Sequence, residues 1–272
     1  MVSVRWTGAA GLEFTHDGKS WLIDPYISRP GKASIFLGRP EADREKVARY
    51  LDSLPGALQA VLVSHTHLDH ALDIPEIVAH FPVPLIGSES CETLMALHGM
   101  PGRVIVCKEK CHLELPGGAS ATIIPSLHGL VVFGRAPYPG EIEPGKEPPL
   151  RASDYRHGQV FSIRLLIGGT SFLHVGTANL IDAELEGEAC DVLFCCMPGW
   201  KAVPDFHRRI LSRVRPKIVV PFHFDDFSAP VPKEGRTPST SRSGEEEFLE
   251  RVAAEAPEAR IVRPDLFRAM EF

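Results

Sequence analysis

The sequence predicts an α/β fold: two packed β-sheets with helices on their outer faces. Three observations point there. Strands precede helices in each half of the chain, the order expected when two sheets pack together and helices cover them. The opening is β-rich, with Asp17-Gly18 marking a hairpin turn. Apolar runs that end in histidine recur along the chain, before His65, His128 and His223.

Taken in order, residues 2–6, 12–14 and 20–23 read as short strands, and Asp24-Pro25 ends the third. Residues 29–40, with Pro30, Gly31, Gly38 and Pro40, read as a loop. Residues 42–51 have helical periodicity, stopped by Pro55-Gly56. Strand 60–63 leads into a histidine-rich turn and a helix near 74–80. Strand 84–86 precedes a helix near 89–98. Residues 104–106 and 121–124 are further strands. Residues 134–149 are rich in Pro, Gly and Glu and form no element; they read either as a lid or as a disordered surface insertion. Gly168-Gly169 joins strands 159–167 and 171–175 into a hairpin. Strand 190–196, helix 204–214 and strand 217–220 follow. Residues 230–244 are a polar stretch leading to a last helix near 245–255, and 259–262 is a closing strand.

The chain has 272 residues, 44% hydrophobic and 24% charged. That is enough to bury a large core in a single domain spanning 1–272. A formal net charge of −6 and a pI near 6.1 argue against a nucleic-acid enzyme, which would show a basic face. Arg208, Arg209, Arg213 and Arg215 make only a local basic cluster. No apolar run approaches the ~18 residues of a membrane span. The opening has no signal-peptide pattern and the six cysteines are scattered, so the expectation is a cytoplasmic protein with reduced thiols. Cys107, Cys111 and His112 lack the second Cys/His pair that would close a tetrahedral site. Cys195 and Cys196 end a buried strand.

Function is concentrated in Ser64-His65-Thr66-His67-Leu68-Asp69-His70. Neutral imidazole and carboxylate are ligands that borderline divalent metals accept. Filling a core with three imidazoles and a carboxylate is costly, because each buried polar group needs a partner. His65 and His67, two apart, can share one side of an extended segment. Asp69 and His70, further round the turn, can face a neighbouring point. That geometry suits two adjacent metals better than one.

The motif His65-Thr66-His67-Leu68-Asp69-His70 resembles the H-x-H-x-D-H loop of the metallo-β-lactamase-fold hydrolase superfamily. Residues 6–8 and 21–26 are similar to the opening of the branch containing ascorbate-6-phosphate lactonase and N-acyl-phosphatidylethanolamine phospholipase D. The resemblance implies an αββα sandwich with metals at one edge of the paired mixed sheets. By position it implies that His65, His67 and His128 hold a first metal, and Asp69, His70 and His223 a second. The metal would be zinc, one or two ions, with manganese or iron as alternatives. It would lower the pKa of a bound water and polarise the attacked oxygen. Asp69 would orient the nucleophile, and a metal-bound water, or a histidine such as His157 or His174, would protonate the leaving group.

Two departures stand out. Thr177 occupies the place of the family's bridging Asp, and Ala9 stands where this branch often has His. Without an anionic bridge two dications repel strongly, so the second ion should bind more weakly unless Asn179, Asp73, Asp225 or Asp226 substitutes. Asp24 is expected to support a metal-bound imidazole from behind. Loops 29–38, 134–157 and 228–242 should roof the pocket. They carry Phe36, Tyr138 and Tyr155 for apolar contact, with Arg135, Arg151, Arg156 and Lys233 for anion contact, a mixture that would suit a moderately sized anionic substrate. Two other readings remain open: a degenerate binding protein without hydrolysis, and a mononuclear iron oxidoreductase on the same fold.

Overall fold

The structure, a computed structural model, describes residues 1–231 and 244–272. Lys233 and most of the expected 228–242 roof lie outside the described residues.

The first sheet takes β1 (Ser3–Gly8), β2 (Gly11–His16), β3 (Lys19–Ile23), β4 (Ala57–Leu62), β5 (Leu85–Gly87) and β6 (Val104–Val106). The second takes β7 (Cys111–Leu115), β8 (Ala119–Ser126), β9 (Val160–Ile167), β10 (Thr170–Val175), β11 (Val192–Cys196), β12 (Ile218–Phe222) and β13 (Arg260–Ile261). β14 (Ala269–Glu271) returns to the first sheet beside β1, so each sheet has seven strands among the described residues. Both sheets are mixed. β3–β6 and β10–β13 run parallel, whereas the strands on the other side of each sheet are antiparallel.

Side-chain alternation along the strands builds the layers. Trp21, Ile23, Ala60 and Leu62 face the second sheet and join the main core. Leu22, Val61 and Val63 face outward and bury the helices of the first half. These are α2 (Arg44–Asp52), α3 (Leu68–Ala71), α4 (Ile74–His80) and α5 (Glu89–Leu97). Asp43 accepts from Lys46 N and Ser88 from Cys91 N, capping α2 and α5. α6 (Phe206–Val214) and α7 (Glu245–Glu255) cover the second sheet through Ile210, Val214, Phe248 and Val252. The result is the expected αββα sandwich.

Three elements differ from the sequence expectation. The 29–40 segment contains a six-residue helix, α1 (Lys32–Leu37), which buries only Ile35. β7 and β14 are additional edge strands. The basic cluster on α6 is neutralised: Arg209 and Arg213 pair with Asp182 at 2.5 and 3.6 Å, and Arg208 with Glu255 at 3.2 Å. No helix among the described residues is long and apolar enough to cross a membrane. All six cysteines are free thiols.

Candidate metal centre

Strands from both sheets deliver their C-terminal ends to one edge. Beyond β4 come His65, His67, Asp69 and His70; beyond β8, His128; beyond β12, His223. Ligand atoms of His65, His67 and His128 lie within 4.8 Å of one another, and so do those of Asp69, His70 and His223. Each group draws on both sheets.

The ring hydrogen bonds fit metal binding. His67 Nε2–H donates to Pro137 O at 3.0 Å, and His128 Nδ1–H to Gly129 O at 2.8 Å. His70 Nδ1–H donates to Asp24 at 2.8 Å, and His65 Nδ1 lies 3.1 Å from Ser64 Oγ. With one nitrogen engaged as donor, the other carries the lone pair a metal takes. His65 Nε2 is buried and has no partner among the described residues, an orphan that a divalent ion at this point would satisfy.

Electrostatics agree. Burial, reinforced by neighbouring imidazoles, holds His65 and His67 well below the ordinary histidine pKa. Burial brings His128 down to about 4. These rings are neutral at pH 7. Burial alone would raise Asp69, but the charges of His70 and His223 and a 3.2 Å contact to His223 Nε2 outweigh it and hold the carboxyl below its usual range. Burial opposes a charge on His223, yet Asp69 and Asp225 outweigh it and raise that ring.

Asp24 sits at the centre of the support. It is fully buried, with φ at +46°. It accepts from Ser64 N at 2.6 Å, from Ser64 Oγ and from His70. Gly176 is required here: a Cβ would stand 2.7 Å from both Ser64 Oγ and His174 Cε1. A second clamp holds the His223 loop. Arg29 Nη1 meets Asp225 at 2.8 Å, and Arg29 also donates to Ala229 O and Asp226 O at 2.9 and 2.8 Å. Asp225 Oδ1 in turn accepts from Ala9 N at 3.0 Å. Gly8, with φ at +110°, makes room for the guanidinium, which a Cβ would approach to 2.1 Å. This clamp had no signal in the sequence, because its parts come from three separate loops.

Several sequence expectations are corrected. His174 is buried beneath Asp24, donates to Ala10 O at 2.9 Å and does not line the cavity, so it cannot reach a leaving group. His157 stacks on His128 at 5.4 Å but does not line the cavity either. The proposed substitutes for the bridging carboxylate are engaged elsewhere. Asn179 donates to His128 O at 3.0 Å, Asp73 accepts from Ile27 N and Ser28 N, and Asp226 holds Ser228 and Lys32. Thr177 lines the cavity, and its hydroxyl accepts from Gly129 N at 2.9 Å, so Thr177 and Asn179 together brace the His128 loop.

A cavity of about 680 Å³ opens over the two groups. Phe36 and Tyr138 line it, whereas Tyr155 is buried in the helix-side core. Arg135, Arg151 and Arg156 do not line it; Arg156 pairs with Glu143 at 2.5 Å. The 134–157 segment is pinned to the histidine motif: Thr66 N donates to His157 O at 3.1 Å and Thr66 Oγ1 to Arg156 O at 2.5 Å.

The profile of the Beta-lactamase superfamily domain matches residues 20–224. The chain belongs to this family. Among its relatives, a UPF0173 metal-dependent hydrolase of Anaeromyxobacter sp. (strain K) is 26% identical over 242 residues, covering 83% of this chain and 76% of that protein. One from Pyrobaculum arsenaticum is 23% identical, covering 83% and 85%. Among solved structures, Igni18, a metallo hydrolase from Ignicoccus hospitalis, superposes with a TM-score of 0.62 at 18% identity, covering 100% of this chain and 99% of that one. CmlA, a diiron β-hydroxylase from Streptomyces venezuelae, gives 0.61 at 14% identity, covering 100% of this chain and 54% of that one. The same sandwich fold is thus found in a metallo hydrolase and in a diiron hydroxylase.

Proposed function

We propose that the protein is a metal-dependent hydrolase, acting as a single domain over residues 1–272 on a small-molecule ester, lactone or phosphodiester. The observation that carries this reading is the pair of ligand groups at the strand ends, each with its atoms within 4.8 Å. His65, His67 and His128 would hold one ion and Asp69, His70 and His223 the other, and the nitrogen-rich donor set suits zinc over manganese or iron. When bound, such ions acidify a water and polarise the electrophile. Asp69, held ionised by His223 and His70, orients the attacking water and takes its proton. That proton is then available to the leaving group, since neither His174 nor His157 reaches the cavity.

The names of the relatives support hydrolysis, and a cytoplasmic setting remains the proposal made from the scattered cysteines of the sequence. The fold likeness to a diiron hydroxylase keeps an iron reading testable; an optical spectrum of protein as purified separates it from zinc. Thr177 is the one feature favouring a degenerate binder, because no carboxylate bridges the two groups there. The deciding experiment is metal content per chain, with turnover of a p-nitrophenyl ester, in wild type and His67→Ala. Loss of one ion and of turnover in the variant is expected. A variant that keeps both refutes the reading.

A further inference from the structure

The cavity over the metal groups differs in kind from its floor. Its floor is imidazole and carboxylate; its walls are mostly apolar. Phe36 from α1, Leu130, Val132 and Phe133 from the segment after His128, Tyr138 and Phe227 line it. Phe36 and Phe133 also stand exposed at the rim. An exposed aromatic is individually ordinary, but several lining one concave site are what an apolar ligand needs.

Charge points the same way. Among the described lining residues Lys201 is the one Lys or Arg, and it is already paired with Glu247. Asp225 and Asp226 stand on the wall. Both are already paired, with Arg29 and Lys32, so an anionic substituent would meet no unpaired Lys or Arg among the described lining residues. The volume of about 680 Å³ falls within the range of sites that enclose a drug-sized molecule.

We infer that the substrate is an uncharged ester or lactone with a medium-length alkyl or aryl body, whose reactive carbonyl reaches the histidine floor while its apolar body fills the wall between α1 and the segment after His128. This rests on the hydrolase reading above and replaces the anionic substrate expected from the loop arginines. Hydrolysis adds water across the acyl C–O bond, giving a carboxylic acid and an alcohol, and needs no other co-reactant.

The test pairs turnover with binding. The metal-loaded protein is assayed on p-nitrophenyl acetate, butyrate, hexanoate and octanoate, and on the hemisuccinate as the charged ester. In parallel, chelator-treated protein is titrated calorimetrically with N-methyl amides of the same acids, which report the walls without chemistry. Expected is a rise in kcat/KM and in amide affinity of about two- to fourfold per methylene until the cavity is full. The hemisuccinate should be poorer than the butyrate, and Phe36→Asp and Phe133→Asp should each compress the octanoate-to-acetate ratio. Turnover that is flat with chain length, or best on the hemisuccinate, overturns the inference and leaves the hydrolase reading intact. Amide affinity that climbs with length while no ester is turned over supports the apolar site and counts against the hydrolase. A dimer dissolved by Phe133→Asp, together with flat amide binding, would assign the rim to a second copy of the chain and overturn the inference.

Discussion

Asp24→Asn tests the logic of the centre most directly, because it keeps the shape and changes only which atoms can accept. One carboxylate oxygen accepts from Ser64 N at 2.6 Å; the other accepts from Ser64 Oγ and from His70 Nδ1–H at 2.8 Å. An amide has one acceptor oxygen and one donor NH2. If the oxygen stays on Ser64 N, the NH2 faces His70, whose ring must present a lone pair at Nδ1 and carry its proton on Nε2. The nitrogen offered to the metal is then blocked. If the amide flips, Ser64 N loses its acceptor in a fully buried position. Losing a hydrogen bond to a charged group costs about 1.5–3 kcal/mol. Loss of an acceptor behind a metal-bound histidine typically lowers affinity about 10–100-fold. The expected result is a stability loss of about 2–3 kcal/mol in chelated protein by urea denaturation. Competition titration against a chromophoric chelator should show a 10–100-fold weaker ion at Asp69, His70 and His223. The ion at His67 and His128 should be much less affected. A folded Asp24→Asn protein that binds both ions with wild-type affinity would refute the tautomer argument.

Three further outcomes are expected. The chelated protein should lose stability as pH falls from about 6.5 toward 4: His128, lowered to about 4, and the more strongly depressed His65 and His67 bind fewer protons folded than unfolded, so stability rises with pH across that window and is lost below it. Thermal denaturation at stepped pH measures this, and a flat profile from pH 7 to 5 contradicts it. Arg29→Ala strands Asp225 in a buried position and should cost about 3–5 kcal/mol, clearly less in an Asp225→Asn background; equal costs in the two backgrounds, read by urea denaturation, would show that the pair is not coupled. Chelation should lower the melting temperature, with zinc at 1,000 times its Kd restoring about 4 kcal/mol; a melting temperature indifferent to both counts against a metal centre.

How far the sequence carried depended on whether its signals were local. The histidine motif was legible because a strand ends directly before it, and Asp24 was legible because it ends a strand before Pro25. α1 was hidden because six residues between Gly31 and Gly38 are too few to show a helical period, and only Ile35 is buried. β7 did carry a signal: Cys111, Leu113 and Leu115 alternate with His112 and Glu114. The cysteines drew attention to thiol chemistry instead, and the Sγ atoms of Cys107 and Cys111 do lie 3.0 Å apart. The loop arginines misled for a physical reason: long side chains find carboxylates and carbonyls on the surface, and their presence in a roofing segment says nothing of which way they turn. The Arg29–Asp225 clamp joins loops far apart in sequence, so only the fold could bring it together.

The arrangement of the sheets explains why so many groups behind the candidate ligands are polar while most of those above them are apolar. Each ligand group takes members from both sheets, His65 and His67 from the first with His128 from the second, and Asp69 and His70 from the first with His223 from the second. A bound ion would therefore tie one sheet to the other, and its binding free energy would contribute to holding them docked. That linkage demands that the ligand-bearing loops not drift. The supports run between loops: Asp24 to Ser64 and His70, Asn179 and Thr177 to the His128 loop, Arg29 to the loop after His223. These anchors sit behind the candidate ligands. The cavity above them is lined mostly by aromatic and aliphatic side chains, with Asp225 and Asp226 held by Arg29 and Lys32, so the chain length of a bound molecule is the property such a lining would read.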